Sequence, residues 1–262
     1  LSPPPVSNRI YFSAMKYLLL LLTLTSGLAA QNYWLDFRGP DHNGFIKNRL
    51  PEVWSEKEHV SWKTALHDHG ISTPVILDNT IVLTAATEDG GKNYFLTLDY
   101  QTGEIIHDKL IFTNTEVEPL GGFGINTYAT PSPVSDGKLV YLHYGTYGTA
   151  CINPDTAEII WKRQDINCLH YRGPASSPIL YKNLLILTMD GVDQQYVIAL
   201  DKKTGKTVWK TARSTDFNDL IDGEPKAGGD LRKGFSTPLI ISVKGHDQLI
   251  SIGAKTCFAY DP

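Results

Sequence analysis

The sequence has little cysteine and none of the common catalytic signatures. Three cysteines in 262 residues allow at most one internal disulfide, so the chain is not a disulfide-dense miniprotein. It contains no His-Glu-x-x-His, Gly-x-Ser-x-Gly, Walker A or Cys-x-x-Cys motif. Helical periodicity is absent beyond residue 30, which indicates an all-β chain.

Long apolar runs are also scarce, and the one clear run lies near the N-terminus. Met15-Lys16 is followed by an apolar stretch over 18–24 and by small residues up to Ala30. This order predicts a signal peptide over 15–30 that is cleaved near Ala30. The run is too short to span a bilayer, so we expect an exported, periplasmic or extracellular protein with no transmembrane segment after cleavage. Residues 1–14 precede the plausible start codon, and we interpret them as upstream translation.

A basic surface is missing as well. The formal net charge is −4, and removal of residues 1–30 would take away Arg9 and Lys16 but no acidic residue. A mildly acidic protein has no electrostatic footprint for nucleic acid or for anionic membrane surfaces. We therefore exclude both partners.

What the sequence does contain is an internal repeat. A Ser/Thr-Pro pair followed by an aliphatic run recurs with its prolines at 74, 133, 178 and 238, which gives spacings of 59, 45 and 60 residues. A second short apolar run follows each pair. Such evenly spaced short strands, separated by Gly and Pro, are typical of repeat β architectures.

A second repeated element is a tight turn followed by a strand that carries tryptophan. Asp and Gly favour such a turn, because Asp accepts backbone N–H bonds and Gly adopts the left-handed conformation. The pairs that mark the turns are Asp99 with Gly103 and Asp201 with Gly205. The repeated tryptophans, for which we predict packing between neighbouring sheets, are Trp62, Trp161 and Trp209.

These repeats predict a β-propeller of four-stranded blades, with about four blades present and the last one incomplete. Radial repetition protects the strand edges, and stacking of blades buries area that no single blade could bury. A β-sandwich is the alternative, but it does not explain why the same turn and tryptophan return once per unit.

The Leu-Asp-x-x-Thr-Gly-x-x-x-Trp pattern at 200–209 resembles the tryptophan-docking repeat of PQQ-type, quinoprotein-like propellers. Phe37-Arg38-Gly39-Pro40 is similar to the start of exported PQQ-like domain proteins, some of them BamB-like. The resemblance covers residues 34–262. It implies a lead-in segment over 31–59, propeller repeats over 60–262, and a C-terminally truncated fragment of a ring of seven or eight blades. A natural ring of four blades is the alternative. Residues 60–64 match the outer strand that ends blade three, and we expect them to complete a last blade beyond residue 262.

The most chemically varied loop is 165–174. Cys168 and His170 could supply half of a zinc site or a nucleophilic pair, and Arg172 is a further ligand-binding candidate. The alternative is a loop held by its own hydrogen bonds. A disulfide between Cys151 and Cys168 is a further possibility in an oxidising compartment.

Three more side chains are candidates for the propeller channel: Arg38, His42 and His143. The alternative for Arg38 is that it holds the entry loop through hydrogen bonds. Two acidic loops, 190–193 and 216–224, carry oxygen ligands that suit Ca²⁺. The candidate ligands in the second loop are Asp216, Asn218 and Asp222. The alternative for both loops is a solvated acidic surface.

Two functions remain open from the sequence. The first is a binding or scaffold module for a protein, peptide or polysaccharide, without catalysis of its own, as in BamB-like relatives. The second, implied by the resemblance, is a dehydrogenase that uses PQQ and Ca²⁺. Alcohol-oxidising members of that group carry a disulfide between adjacent cysteines, and this sequence has no Cys-Cys pair.

Overall fold

The prolines of the Ser/Thr-Pro repeat stand directly before the first residue of a strand. Proline has no N–H to give to a sheet, so it is tolerated at this position. The strands concerned begin at Val75, Val134, Ile179 and Leu239. The repeat therefore marks where each sheet begins.

The computed structural model describes residues 33–46, 49–121 and 124–262. The upstream segment 1–14 and the signal peptide 15–30 predicted from the sequence lie outside the described residues.

Four antiparallel sheets follow one another along the chain, and each is a blade numbered in chain order. Blade 1 contains β1 (Tyr33–Trp34), β2 (Val75–Leu77), β3 (Thr80–Ala86), β4 (Lys92–Asp99) and β5 (Ile105–Thr113). Blade 2 contains β6 (Val134–Ser135), β7 (Val140–His143), β8 (Thr149–Ile152) and β9 (Ile159–Arg163). Blade 3 contains β10 (Ile179–Tyr181), β11 (Leu184–Asp190), β12 (Gln195–Asp201) and β13 (Thr207–Ala212).

Blade 4 has three strands, β16 (Leu239–Val243), β17 (His246–Ile252) and β18 (Cys257–Tyr260). Between blades 3 and 4 lie a short hairpin of β14 (Leu220–Ile221) and β15 (Glu224–Pro225) and a 3-10 segment, Lys226–Arg232. Another 3-10 turn, Gly145–Tyr147, joins β7 to β8. The sheets form a partial β-propeller, and the predicted all-β fold with an incomplete last blade is confirmed.

The hydrophobic core lies between successive blades. One cluster joins blades 1 and 2 around Phe95, Phe112 and Leu142. The next cluster joins blades 2 and 3, and a third joins blades 3 and 4. Each blade thus buries its apolar faces against its neighbours, which is the packing expected of stacked repeats.

Side-chain hydroxyls of the Ser/Thr-Pro repeat connect the innermost ends of the blades. The N–H of Thr73 donates to Ser132 Oγ over 2.8 Å, and the N–H of Ser132 donates to Ser177 Oγ over 2.9 Å. The N–H of Ser177 donates in turn to Thr237 Oγ1 over 3.0 Å. A hydroxyl recurs at this position because it accepts the backbone N–H of the preceding blade, where the surroundings exclude water.

The repeated turns are built by their aspartates. Asp99 Oδ1 accepts the N–H groups of Gln101 and Thr102 at 2.9 and 2.8 Å. Asp201 Oδ1 accepts the N–H of Thr204 at 2.9 Å. In blades 1 to 3 a register shift interrupts the strand pairing two residues before the turn. The extra residue stands in the outer strand just after the turn, and such a bulge bends that strand.

Tryptophans of the outer strands dock onto these turns. Trp161 Nε1 of blade 2 donates to the carbonyl of Lys202 in blade 3 over 2.9 Å, and Arg163 Nη1 donates to the Gly205 carbonyl over 2.9 Å. Trp62 Nε1 donates to the Tyr100 carbonyl over 3.1 Å, and Thr64 Oγ1 to the Gly103 carbonyl over 2.6 Å. Each of these docking sites is therefore held by two hydrogen bonds, one donated by the indole and one by the side chain two residues later.

One docking site departs from the pattern at both partners. His107 stands in β5 where the other blades have tryptophan, and its Nε2 lies 2.9 Å from the Asp155 carbonyl oxygen. Lys109, two residues later, donates to the carbonyl of Ala157 over 2.6 Å. Ala157 replaces the turn glycine at a φ of 54°. The imidazole is smaller than an indole, which leaves room for the alanine methyl group.

Residues 60–64 form no strand within the described residues, and their predicted role in completing a last blade stays a prediction. A strand needs a neighbour for its N–H and C=O groups, and none of the described strands pairs with this segment. Its side chains still dock, and Trp62 packs against Leu96 and Leu98 of blade 1.

Candidate functional site

The segment that follows β1 crosses the inner strands of several blades. Tyr33 and Trp34 pair with β2, and the Leu35 carbonyl then accepts the N–H of Ser135 in blade 2 over 2.8 Å. Residues 36–42 continue to a pocket of about 590 Å³. Its other walls come from 178–182 and 236–240, on the inner strands of blades 3 and 4, and from Ile252. We call it the channel-side pocket.

The channel-side pocket has apolar walls that remain open to solvent. Phe37, Leu239 and Ile252 line it and are 43%, 40% and 53% exposed. Large apolar side chains that gather at a concavity mark a binding surface more often than single exposed ones do.

Two residues predicted as channel groups, Arg38 and His42, both line this pocket. Asp36 holds the turn between them, because its Oδ1 accepts the Arg38 N–H at 2.9 Å and its Oδ2 lies 2.5 Å from His42 Nδ1. The Arg38 guanidinium has no ion pair or hydrogen bond within the part of the chain described. The pocket therefore combines apolar walls with one uncommitted cation.

The loop 165–174 brings Cys168 and His170 together with a residue from much later in the chain. Lys233 Nζ lies 2.7 Å from His170 Nδ1, and His170 Nε2 lies 3.3 Å from Cys168 Sγ. All three residues are buried. A protonated lysine only donates, so Nδ1 accepts, and the neutral imidazole carries its hydrogen on Nε2 and donates it to the sulfur.

Burial sets the ionisation of this trio. It lowers the pKa of His170 well below the ordinary value, helped by the charge of Lys233, and it lowers the pKa of Lys233. Burial also raises the pKa of the Cys168 thiol to about 12. Since the thiolate is the nucleophile, Cys168 is unreactive at neutral pH in this arrangement. Cys151 and Cys168 are both buried and unbridged, so the possible disulfide is not formed.

His143 and Arg172 lie away from the channel-side pocket. His143 is buried within blade 2, its Nδ1 is 2.9 Å from Thr149 Oγ1, and burial lowers its pKa to about 4. Arg172 forms a two-point pair with Asp230, with Nε–Oδ1 and Nη2–Oδ2 distances of 2.6 and 2.7 Å. This pair ties the loop 165–174 to the 3-10 segment after β15.

The first acidic loop is divided, because Asp193 is exposed as a solvated loop would have it, whereas Asp190 is buried. Asp190 and Arg213 have side chains only 1% exposed, and Asp190 Oδ1 lies 2.6 Å from Arg213 Nε. Burial raises the pKa of Asp190, and the pairing with Arg213 opposes that shift. Arg213 also donates to Ser251 Oγ over 2.8 Å, so this ion pair lies between blades 3 and 4.

The second acidic loop does not converge on a point. Asp216 Oδ1 accepts the N–H of Asn218 over 3.0 Å, which closes a local turn. Asp222 lies in the hairpin turn between β14 and β15. Over residues 33–46, 49–121 and 124–262, no three His, Cys, Asp or Glu side chains come together in a way that could hold a metal ion.

A quinone with Ca²⁺ does not fit the described residues. PQQ carries several carboxylates and so needs several free cations, and the channel-side pocket offers Arg38 and Lys182. The Lys182 ammonium lies 4.4 Å from the centre of the Tyr181 ring and is engaged there. The inner edges of blades 1 and 2 are also covered by the chain's own segment 33–35.

Two site residues carried no signal in the sequence. Lys233 reaches His170 across 63 positions, and Arg213 reaches Asp190 across 23. Each stands outside every repeat motif, so only their placement between folded blades identifies their partners.

Known proteins share this architecture. A family model described as outer membrane protein assembly factor BamB matches residues 126–211. The structure of BamB from Moraxella catarrhalis has a TM-score of 0.51 and 17% identity, and the match covers 78% of this chain and 53% of that one. The chain thus spans about half the length of that relative. No curated protein sequence gives a significant match.

Two redox enzymes are weaker structural neighbours. A europium-containing methanol dehydrogenase has a TM-score of 0.48 at 14% identity, covering 74% of this chain and 37% of that one. Quinohemoprotein alcohol dehydrogenase from Comamonas testosteroni has a TM-score of 0.44 at 12% identity, covering 71% and 30%.

Within the described residues, no helix is long and apolar enough to cross a bilayer. The β-propeller fold and the match over 126–211 agree with the repeated turn and its docked tryptophan. The chain is similar to PQQ-like β-propeller repeat proteins in its fold and, over residues 126–211, in its sequence.

Proposed function

We propose that this chain is an exported binding module, without catalysis of its own, that holds an extended peptide segment of a partner protein in the channel-side pocket. The observation that carries the proposal is the combination of open apolar walls with the uncommitted guanidinium of Arg38. An apolar pocket with a few polar groups is the general form of a binding site.

Strand edges support a peptide as the ligand. The inner edge of β2 is already extended by β1, a short strand from the same chain. In the described residues, β10 and β16 pair only on their outer edges, and both border the pocket. A peptide can add to such an edge through main-chain hydrogen bonds while its alternate side chains enter pockets. Apolar residues alternating with acidic ones would match the walls and Arg38.

Location and partner class rest on the sequence and on the family. The basic, apolar and small-residue order over 15–30 is typical of export. The matching family model describes a factor for outer membrane protein assembly. Both support a periplasmic or extracellular protein that works with protein partners.

The test uses a fluorescently labelled peptide of alternating Asp and Val, with binding followed by fluorescence anisotropy. Arg38→Ala should weaken binding about 10- to 100-fold, because a hydrogen bond to a charged group contributes roughly 1.5–3 kcal/mol. Arg49→Ala is the matched control, since Arg49 is exposed and lies 3.1 Å from Glu52 at a separate surface. No saturable binding, or equal losses in the two variants, would overturn the proposal.

A second titration tests the quinoprotein alternative. PQQ and Ca²⁺ are added to the purified chain while tryptophan fluorescence and dye-linked alcohol oxidation are followed. We expect no saturable change and no turnover. Saturable binding accompanied by turnover would reject a purely binding role.

A further inference from the structure

The second residue after each repeat proline lies on the inner edge of its blade. In blade 1 this residue is Ile76, which pairs with Trp34 of β1. In blade 2 it is Ser135, whose N–H donates to the Leu35 carbonyl over 2.8 Å. The chain's own lead-in segment therefore occupies the inner-edge positions of blades 1 and 2.

The equivalent positions of blades 3 and 4 are Leu180 and Ile240, and both line the channel-side pocket. The inner hairpins of these blades close with a two-residue turn, which follows Tyr181 in blade 3 and Val243 in blade 4. The residue pair that flanks such a turn is hydrogen-bonded, and bonded and non-bonded pairs alternate from there along the strands. Leu180 and Ile240 stand one and three residues earlier, so their N–H groups point to the inner edge, where none of the described strands pairs with them.

The lead-in segment shows how a main chain crosses from one inner edge to the next. Two consecutive residues, Trp34 and Leu35, reach from blade 1 to blade 2. The hydrogen bond that joins successive Ser/Thr-Pro repeats measures 2.8 Å from blade 1 to blade 2 and 3.0 Å from blade 3 to blade 4. Because the two pairs of blades are joined in the same way, consecutive residues of an extended peptide can reach both Leu180 and Ile240.

The charged groups of the channel-side pocket favour an anion. Asp36 is the one carboxylate among the described residues of its lining, and it is engaged by the Arg38 N–H and by His42. The Arg38 guanidinium has no such partner among the described residues. The pocket therefore offers a free cation together with two backbone donors. A carboxylate suits these groups, because it accepts several hydrogen bonds and pairs with arginine.

We infer that the channel-side pocket recognises the C-terminal carboxylate of its peptide, an inference that rests on the proposed function. One carboxylate oxygen accepts an inner-edge N–H, as the Leu35 carbonyl does in blade 2, and the other faces Arg38. A terminal carboxylate lies in line with the main chain, so it brings its charge to the strand edge itself. The carboxylate of an acidic side chain projects away from that edge. Backbone N–H groups capture chain termini in other peptide-binding proteins.

The experiment compares three peptides that carry a fluorescent label at the N-terminus, with binding to the purified chain followed by fluorescence anisotropy. The first alternates serine and valine and ends in the free carboxylate of a valine. The second is the same peptide as its C-terminal amide. The third alternates aspartate and valine and also ends in an amide, so that its carboxylates are all in side chains. We expect the first peptide to bind about tenfold or more tightly than either amide, because only it has an ionised acceptor at the end of its main chain.

Arg38→Ala should weaken binding of the free-acid peptide about tenfold or more and so remove its advantage over the matching amide. Arg49→Ala, at an exposed arginine on a separate surface, is the matched control and should preserve that advantage. Equal affinities for the free acid and its amide, or equal affinities for the first and third peptides, would overturn the inference. If those equal affinities still fall in Arg38→Ala, the proposed function stands without it. Absence of saturable binding for all three peptides would overturn the proposed function and the inference together.

Discussion

Replacement of Gly205 by alanine tests how one blade is docked onto the next. The glycine has a φ of +70°, and an added Cβ would lie 2.7 Å from Cδ2 and Cε3 of Trp161. The left-handed backbone with a Cβ costs roughly 1–2 kcal/mol. Overpacking against the indole adds about 1–3 kcal/mol. We therefore expect Gly205→Ala to lower the free energy of unfolding by about 2–5 kcal/mol.

Gly245→Ala is the matched control because it isolates the backbone contribution. Gly245 has a φ of +81°, and no atom lies within 4 Å of the position of its missing Cβ. This variant should cost only the roughly 1–2 kcal/mol of the left-handed conformation. Urea unfolding followed by far-ultraviolet circular dichroism measures both variants on the same scale.

The docking site at Ala157 suggests a second substitution that should relieve the steric clash in Gly205→Ala. There a histidine, His107, faces an alanine in place of the tryptophan–glycine pair. In a Trp161→His background, Gly205→Ala should therefore cost only its backbone part. The double-mutant cycle should give a coupling energy of about 1–3 kcal/mol. Equal losses for Gly205→Ala and Gly245→Ala, or additive effects in the cycle, would refute the steric argument.

Three other predictions follow from buried or paired groups. Arg213→Met leaves Asp190 buried without its partner and should cost about 3–5 kcal/mol in urea unfolding, whereas a loss below 1 kcal/mol would contradict the burial of the pair. The hydrogen bond that His67 donates to the Asp68 carboxylate raises the pKa of His67, so the contribution of this bond to stability is complete below the unfolded pKa and is lost as pH rises through the folded pKa. An NMR titration in which His67 ionises below its ordinary value of 6.5 would refute this sign. Cys168 should resist alkylation at pH 8 until urea unfolds the chain, and mass spectrometry of its peptide would detect earlier labelling.

The repeat made much of the fold predictable. The proline positions mark the inner strands, and the aspartate–glycine turns mark the outer hairpins, because both depend on local backbone conformation. His107 was not predicted as the counterpart of tryptophan, although the spacing could have identified it, since it stands four residues after Gly103 as Trp209 does after Gly205. The role predicted for 60–64, to complete a last blade, stays a prediction, because a strand forms only beside a neighbouring strand.

The candidate sites were less accessible to sequence reasoning. Arg38 and His42 were predicted as channel groups from their position in the lead-in segment, and both line the channel-side pocket. Leu180 and Ile240 hold a fixed place in the repeat, but they share a pocket with Arg38 only because the lead-in segment reaches blades 3 and 4. Side chains that are distant in sequence share a site only through packing, which a linear pattern does not encode.

The sequence by itself determined the unit of this protein: a short-stranded blade that begins after a proline and ends with a docked aromatic side chain. It did so because turns and strand alternation are properties of a few consecutive residues. The tertiary structure alone decided which charges are buried, as in Asp190 with Arg213, and where concave surfaces form. Buried charges and concave surfaces form where neighbouring blades meet, and which blades are neighbours is decided only when the chain folds.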